Sequence, residues 1–247
     1  MTVRLDIEYD GSEFSGWAYQ PEQRTVQGEL ERALCTILHR ESVPLTVAGR
    51  TDAGVHAWGQ VASYEGEAAP LGSLNALLPP DVSVTRSSEV RDGFNARHDC
   101  TSRAYCYRVL ARPARSALER SHALHWSYPA DFKALRECAQ LLVGTHDFTA
   151  FTPTDTYHVR FDRDVYSAAW RARDGDLLEF WIEADTFMRH MNRTLVGTML
   201  DVARGRLSVG DFAGLLDGRP RTAAGPTAPA WGLYFAGAGY EGRRVLG

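Results

Sequence analysis

The sequence predicts an α+β fold made of two similar sheet-and-helix halves. Three observations carry that expectation. Runs of strand period are interrupted by runs of helical period twice over, across residues 3–90 and again across 103–240. The runs 163–173 and 176–184 read as a hairpin around Asp174-Gly175, which implies antiparallel pairing. The segment 94–102 separates the two series and is the expected joint, giving domains 1–98 and 99–247.

In the first half, "VRLDIEYDG" (3–11) alternates Val3, Leu5, Ile7 and Tyr9 with polar neighbours, the mark of a strand ending in an Asp-Gly turn. "TVQGELERALCTILHR" (25–40) is an amphipathic helix with Thr25 as N-cap and Val26, Leu30, Ala33, Leu34, Ile37 and Leu38 on one face. Residues 43–64 read as strand, loop and strand, with Gly49 and Gly54 giving the loop backbone freedom. "LGSLNALLPP" (71–80) is a short helix stopped by Pro79 and Pro80, and 81–90 is a further strand.

In the second half, 103–111 reads as a strand and 131–144 as a helix capped by Asp131 and stopped by Gly144. The hairpin follows. Residues 186–205 read as a helix with Met188, Met191, Leu195, Met199 and Val202 at helical spacing. Residues 208–218 are a short helix capped by Ser208, and 231–240 close as a strand.

Composition narrows the function. At 247 residues, with 44% hydrophobic and 23% charged residues, the chain is an ordinary globular protein. It has no apolar run of spanning length and no signal-peptide core, so no membrane association is expected. Cys35, Cys100, Cys106 and Cys138 form no C-x-x-C pair, which argues against a zinc site or a disulfide framework and for a reducing cytoplasm. The net charge of −4 is unevenly spread. Residues 1–85 carry −7, 86–120 carry +4 and 121–247 carry −1. Lys133 is the sole lysine, so the basic residues are almost all arginine, which forks onto phosphate and stacks on bases.

The motif search excludes several chemistries. "GRTDAGVHAWG" lacks both the Walker lysine and the G-x-G-x-x-G spacing, and no G-x-S-x-G elbow occurs. His190 has no metal-ligating residue at i+4, so no metal is expected. What remains is Asp52 beside Arg50 in a tight loop, the arginine-rich middle, and the aromatics Phe94, Tyr105 and Tyr107. Taken alone, Asp52 fits a turn residue bonding its own backbone, or a carboxylate held for chemistry.

A resemblance bears on that choice. "AGRTDAGVHA" (48–57) resembles the signature of the tRNA pseudouridine synthase A (TruA) family. "EYDGSEFSGW" (8–17), "RTVQGELERAL" (24–34), "FNARHDCTSRAYCY" (94–107), "LVGTHDFTAF" (142–151), "FMRHMNRTLVGTML" (187–200) and "GLYF" (232–235) resemble further blocks of the same family, in order along nearly the whole chain. The chain departs from the family pattern at Ala18, Tyr19, Asn95, His98, Asn192 and Thr194.

The resemblance implies a pseudouridine synthase fold: two ferredoxin-like halves, a central largely antiparallel sheet and a cleft between the halves. It implies isomerisation of uridine to pseudouridine in the anticodon stem–loop of tRNA, at positions 38, 39 and 40, by a homodimer using no cofactor. Asp52 is then the catalytic carboxylate, on domain 1–98. Domain 99–247 supplies Tyr105, which stacks on the uracil, and Arg193, which pairs with the aspartate. Without the resemblance, Tyr105 reads equally as core, sharing a strand face with Tyr107 and Val109, and Arg193 as a solvated helix cation. Arg50 would fill the space left by a flipped base. Arg97, Arg103 and Arg108, in the net-positive segment, and Arg163, from a 152–164 loop, would hold phosphates, with Phe94 among the RNA contacts. The alternatives are a synthase of the same superfamily with another RNA target, or an RNA-binding or RNA-folding protein without chemistry.

Overall fold

A computed structural model describes residues 1–247 except 157 and 175. The chain divides into two compact units, Met1–Arg103 with Tyr234–Val245 and Gly247, and Ala104–Leu233 with Leu246. Both mix helices with sheet, and every strand pair of known register is antiparallel except two short parallel ones.

In the first unit, β1 (Thr2–Tyr9) pairs antiparallel with β3 (His56–Glu65) on one side and β4 (Val82–Val90) on the other. The alternation in β1 sets its two faces. Val3, Leu5, Ile7 and Tyr9 are buried, while Arg4 and Asp6 pair with each other at 2.6 Å. The helix α1 (Val26–Leu38) begins where Thr25 accepts from the Gly28 N–H at 3.2 Å, and Val26, Leu30, Ala33 and Leu34 are buried. It packs on α2 (Leu71–Leu77), which ends before the two prolines.

The apolar run 43–48 yields less strand than its hydrophobicity suggests. Only β2 (Thr46–Val47) pairs, with Ser63 and Ala62 of β3. Pro44 has no N–H to give, and the Leu45 N–H donates to the Glu31 carboxylate at 2.9 Å in place of a strand partner. β10 (Leu233–Tyr240) returns to pair in parallel with β3, Tyr234 opposite His56 and Phe235 opposite Ala57.

In the second unit the strand order is β5 (Cys100–Ala111), β9 (Leu177–Ala184), β8 (Asp162–Ala172) and β7 (Gly144–Asp147), with β6 (Leu124–Trp126) on the other side of β5. The β8–β9 hairpin is antiparallel, with Trp170 opposite Phe180. The glycine expected at its turn, 175, lies outside the described residues. The helix α3 (Phe132–Leu141) is capped by Asp131, whose carboxylate accepts from the Lys133 and Ala134 N–H groups. It packs on β8 and on α4 (Met191–Ala203). The short helix α5 (Val209–Gly214) has a full capping box between Ser208 and Asp211.

The helix α4 starts five residues later than its methionine spacing suggests. His190 has φ +62°, and the Met191 N–H closes a turn on the Met188 carbonyl, so 186–190 enter as a turn. Met188 is buried all the same, which is why its spacing reads as helical. No helix among the described residues is long and apolar enough to cross a membrane.

Burial pushes the Tyr9 hydroxyl up to about 12, and pushes Tyr107 and Tyr240 up as well. A group whose pKa rises on folding stabilises the fold fully below its unfolded pKa and loses that contribution as pH climbs through the folded value. The thermal midpoint is therefore expected to hold up to a pH of about 10 and to fall above it. Phenolate absorbance should grow together with loss of the circular-dichroism signal. Full tyrosine ionisation at pH 11 in a folded protein would contradict this.

Candidate active site

The loop between β2 and β3 carries Arg50 and Asp52, and its backbone is held from several directions. The Asp52 carbonyl accepts from the Val55 N–H at 3.2 Å, closing a turn in which Gly54 has φ +78°. Behind it, the Thr51 hydroxyl meets the Tyr9 hydroxyl at 2.7 Å, and the Gln60 amide donates to the Gly49 carbonyl at 2.8 Å. On the other side, Trp17 N–H donates to the Thr51 carbonyl at 3.0 Å, and Gly54 N–H donates to the Phe14 carbonyl at 3.3 Å.

Two glycines make that approach possible. A Cβ on Gly11 would lie 2.0 Å from the Val55 carbonyl oxygen. Gly16, at φ +96°, passes so near that a Cβ would sit 2.9 Å from the Thr51 carbonyl oxygen. Gly11 N–H also donates to His56 Nδ1 at 3.0 Å, and the His56 ring stacks on Tyr234 at 4.6 Å. Phe14 and Trp17 are buried beside this contact, with Trp17 6.0 Å from Tyr9. Arg24 covers the Phe14 ring at 4.1 Å while its guanidinium forks onto Asp81. The result is a fixed loop with an open tip. Thr51 and Val55 are buried, Asp52 is half-buried, and Arg50 and Ala53 are exposed.

The segment 94–103 is organised by its own polar side chains. Phe94 is buried, 5.2 Å from the Tyr240 ring and 5.9 Å beneath the Arg91 guanidinium. The Asn95 side-chain oxygen accepts from the Arg97 and His98 N–H groups at 3.0 and 2.9 Å. The departure to asparagine thus builds a turn. It leaves Arg97 and His98 exposed. Arg103 donates to the carbonyls of Ala48, Cys100 and Arg97. It ties the joint to the strand that precedes the Asp52 loop.

The second unit carries the other candidates. Tyr105 is 8% exposed and meets the Phe187 ring edge-on at 5.0 Å. Tyr107 and Val109 are buried along the same strand. Tyr107 donates to the Pro229 carbonyl at 2.8 Å, and burial raises its pKa against the opposing charge of Arg193. Arg193 lies in the first turn of α4, where the helix dipole disfavours a cation. It is fixed there by two bonds to one residue. Its Nε donates to the Ala228 carbonyl at 2.7 Å, and Ala228 N–H donates to the Arg193 carbonyl at 3.0 Å.

Two arginines are placed otherwise than their sequence context suggests. Arg163 is in strand β8, not in a loop, and is 6% exposed. Its guanidinium donates to the Asp162 carbonyl, and burial lowers its pKa. A side chain so covered presents little to a phosphate. Arg108 pairs with Glu119 at 2.9 Å and donates to the His122 carbonyl at 3.2 Å. Its charge is already matched within the arginine-rich segment. The buried thiols of Cys106 and Cys138 are also pushed up, Cys138 to about 12, so neither is a nucleophile at neutral pH.

Sequence reasoning missed two groups of residues. One is the backing segment 11–17, whose glycines are visible in the sequence but whose partner, the Asp52 loop, is not. The other is 221–228, which folds back along α4 through bonds to Thr198 and Thr194.

Residues 138–241 match a family model described as tRNA pseudouridine synthase. The chain is 42% identical to a tRNA pseudouridine synthase A of Chromobacterium violaceum, over 97% of this chain and 93% of that one. It is 38% identical to a tRNA pseudouridine synthase A of Bacillus subtilis, over 98% and 100% of the two chains. Among solved structures, a Cbf5-Nop10-Gar1 complex aligns with 81% of this chain and 54% of its own, at 11% identity and a TM-score of 0.37, too loose a likeness to argue from.

The packing of Gly11 against Val55 yields a sharp expectation. Gly11→Ala should destabilise the protein by about 1–3 kcal/mol, because a methyl group meets backbone there and not a movable side chain. Hydrogen exchange at the Trp17 and Gly54 amides should accelerate more than exchange elsewhere in the first unit. Unchanged protection at both amides would mean that residues 11–17 do not hold the loop.

Proposed function

The chain belongs to the tRNA pseudouridine synthase A family, and from that premise we propose that it isomerises uridines of the anticodon stem–loop of tRNA with Asp52 as the catalytic carboxylate. The observation that carries the role of Asp52 is its setting. It sits half-buried at an open tip, on a backbone fixed by Tyr9, Phe14, Trp17 and Gln60. A catalytic group gains from such a mounting, because displacement by about 1 Å is enough to cost a large part of the rate.

The reaction breaks the N1–C1′ bond, turns the uracil and joins C5 to C1′. The proton on C5 then leaves to water. No electrons are gained or lost overall, so the isomerisation itself has no need of a redox cofactor. An ionised aspartate serves either route to bond cleavage: attack on C1′, or removal of the C2′ proton. Arg193 would be the cation that pairs with that carboxylate, since a charge in a closed pocket is costly unless it is paired. Tyr105 would stack on the uracil and help to take the C5 proton.

A stem uridine is inaccessible until it leaves the helix, and Arg50, exposed two residues before Asp52, is suited to fill the gap. Arg97 is the exposed cation of the 94–103 turn and the best placed of that group to meet phosphate. Arg103, Arg108 and Phe94 would support RNA binding by shaping the surface around it. Arg163 is the weakest of the RNA candidates because of its burial. The family reading extends to a homodimer acting in the cytoplasm.

The test uses tRNA tritiated at uridine C5, with EDTA and no added cofactor. Wild-type protein should release tritium to water from the anticodon stem–loop. Asp52→Asn should bind tRNA normally and lower release by at least about 100-fold. Activity retained by Asp52→Asn would remove the aspartate from the chemistry. Free uracil in place of pseudouridine would mark a glycosidase.

A further inference from the structure

The segment 221–228 is held along α4 by bonds that converge on the residue gripping Arg193. Gly225 N–H donates to the Thr198 hydroxyl at 3.0 Å, which itself donates to the Thr194 carbonyl at 2.7 Å. The Thr194 and Thr227 hydroxyls meet at 3.3 Å. Gly197 lets the segment lie flat, since a Cβ there would be 1.8 Å from the Pro226 carbonyl oxygen. Arg221 closes the arrangement. Its guanidinium donates to the carbonyls of Gly225 at 3.0 Å and Ala224 at 3.4 Å, and to the Thr227 hydroxyl at 3.2 Å. No carboxylate pairs with it among the described residues, and burial lowers its pKa. Its fork therefore serves the backbone of the segment, which ends at Ala228, the twofold partner of Arg193.

We propose that Arg221 is a positioning residue that aims Arg193. By fixing residues 224–227 it sets where the Ala228 carbonyl stands. That carbonyl takes the Arg193 Nε–H and so fixes the direction of the two terminal nitrogens. Thr194 belongs to the same device, its hydroxyl bonding Thr227 at the point where the chain departs from its family pattern. The inference rests on the proposed role of Arg193 in the reaction.

The experiment compares Arg221→Met, Arg221→Lys and Arg193→Met by steady-state tritium release from tRNA. Arg221→Met keeps an unbranched apolar stem but cannot donate. It is expected to lower kcat by about 10- to 100-fold with KM for tRNA unchanged. Arg221→Lys should recover part of kcat, having donors but no fork. Gly197→Ala pushes the same segment away from the opposite side. It should reproduce the kcat loss, and combined with Arg221→Met it should add little. It also keeps the test open if Arg221→Met fails to fold.

A raised KM with normal kcat in Arg221→Met would make Arg221 a phosphate contact and overturn the proposal. So would full activity in Arg221→Met alongside an inactive Arg193→Met. Full activity in Arg193→Met would instead remove the reading of Arg193 on which the inference stands.

Discussion

The close approach of the 11–17 segment to the Asp52 loop is the constraint on which the first unit depends. Backbone meets backbone there, and side chains larger than hydrogen at Gly11 and Gly16 would force the two apart. Polar groups complete the contact. The carbonyls of Thr51 and Phe14 are each satisfied across it, and the Gly11 amide finds its acceptor in a buried imidazole. An unpaired amide or carbonyl in such a place would cost about 1–3 kcal/mol. The loop is therefore as well determined as the strands beside it, which is unusual for a connection that leaves an acidic side chain partly open to solvent.

The second unit solves a related problem by a different means. A cation in the first turn of a helix faces the positive end of the helix dipole. The two bonds between Arg193 and Ala228 offset that disadvantage, and the 221–228 segment holds Ala228 in turn. Both units thus mount a polar side chain on a fixed main chain. One does it through glycines, the other through threonine hydroxyls and an arginine fork.

What the sequence made legible was local. Thr25, Asp131 and Ser208 cap the helices expected of them, because a cap needs only the next three residues. Alternation in 3–9 fixed the faces of β1 correctly. The errors came where distant contacts decide. Burial of Met188 imitates helical spacing, although the left-handed His190 starts the helix later. The run 43–48 was read as a full strand, but the Leu45 N–H goes to the side chain of Glu31 and not to β3. Arg163 was placed in a loop because the loop-to-strand boundary lies one residue before it. At the site, the residues in family-like motifs were found at once. His56 and Gly16 stand inside those motifs without showing themselves as supports, and Arg221 stands outside them, since nothing local in the sequence names their partners.

The return of β10 to β3 makes the first unit discontinuous in sequence, with Ala104–Leu233 lying between its two parts. During synthesis the ribosome delivers β1, β3 and β4 well before the strand that completes the edge of β3. The second unit, all but Leu246, is contiguous and emerges in the interval. Vectorial folding then favours an order opposite to the order of the genes' codons, with the inner unit able to finish before the outer one. Until β10 arrives, part of the β3 edge stays open, and an open edge invites pairing with other chains.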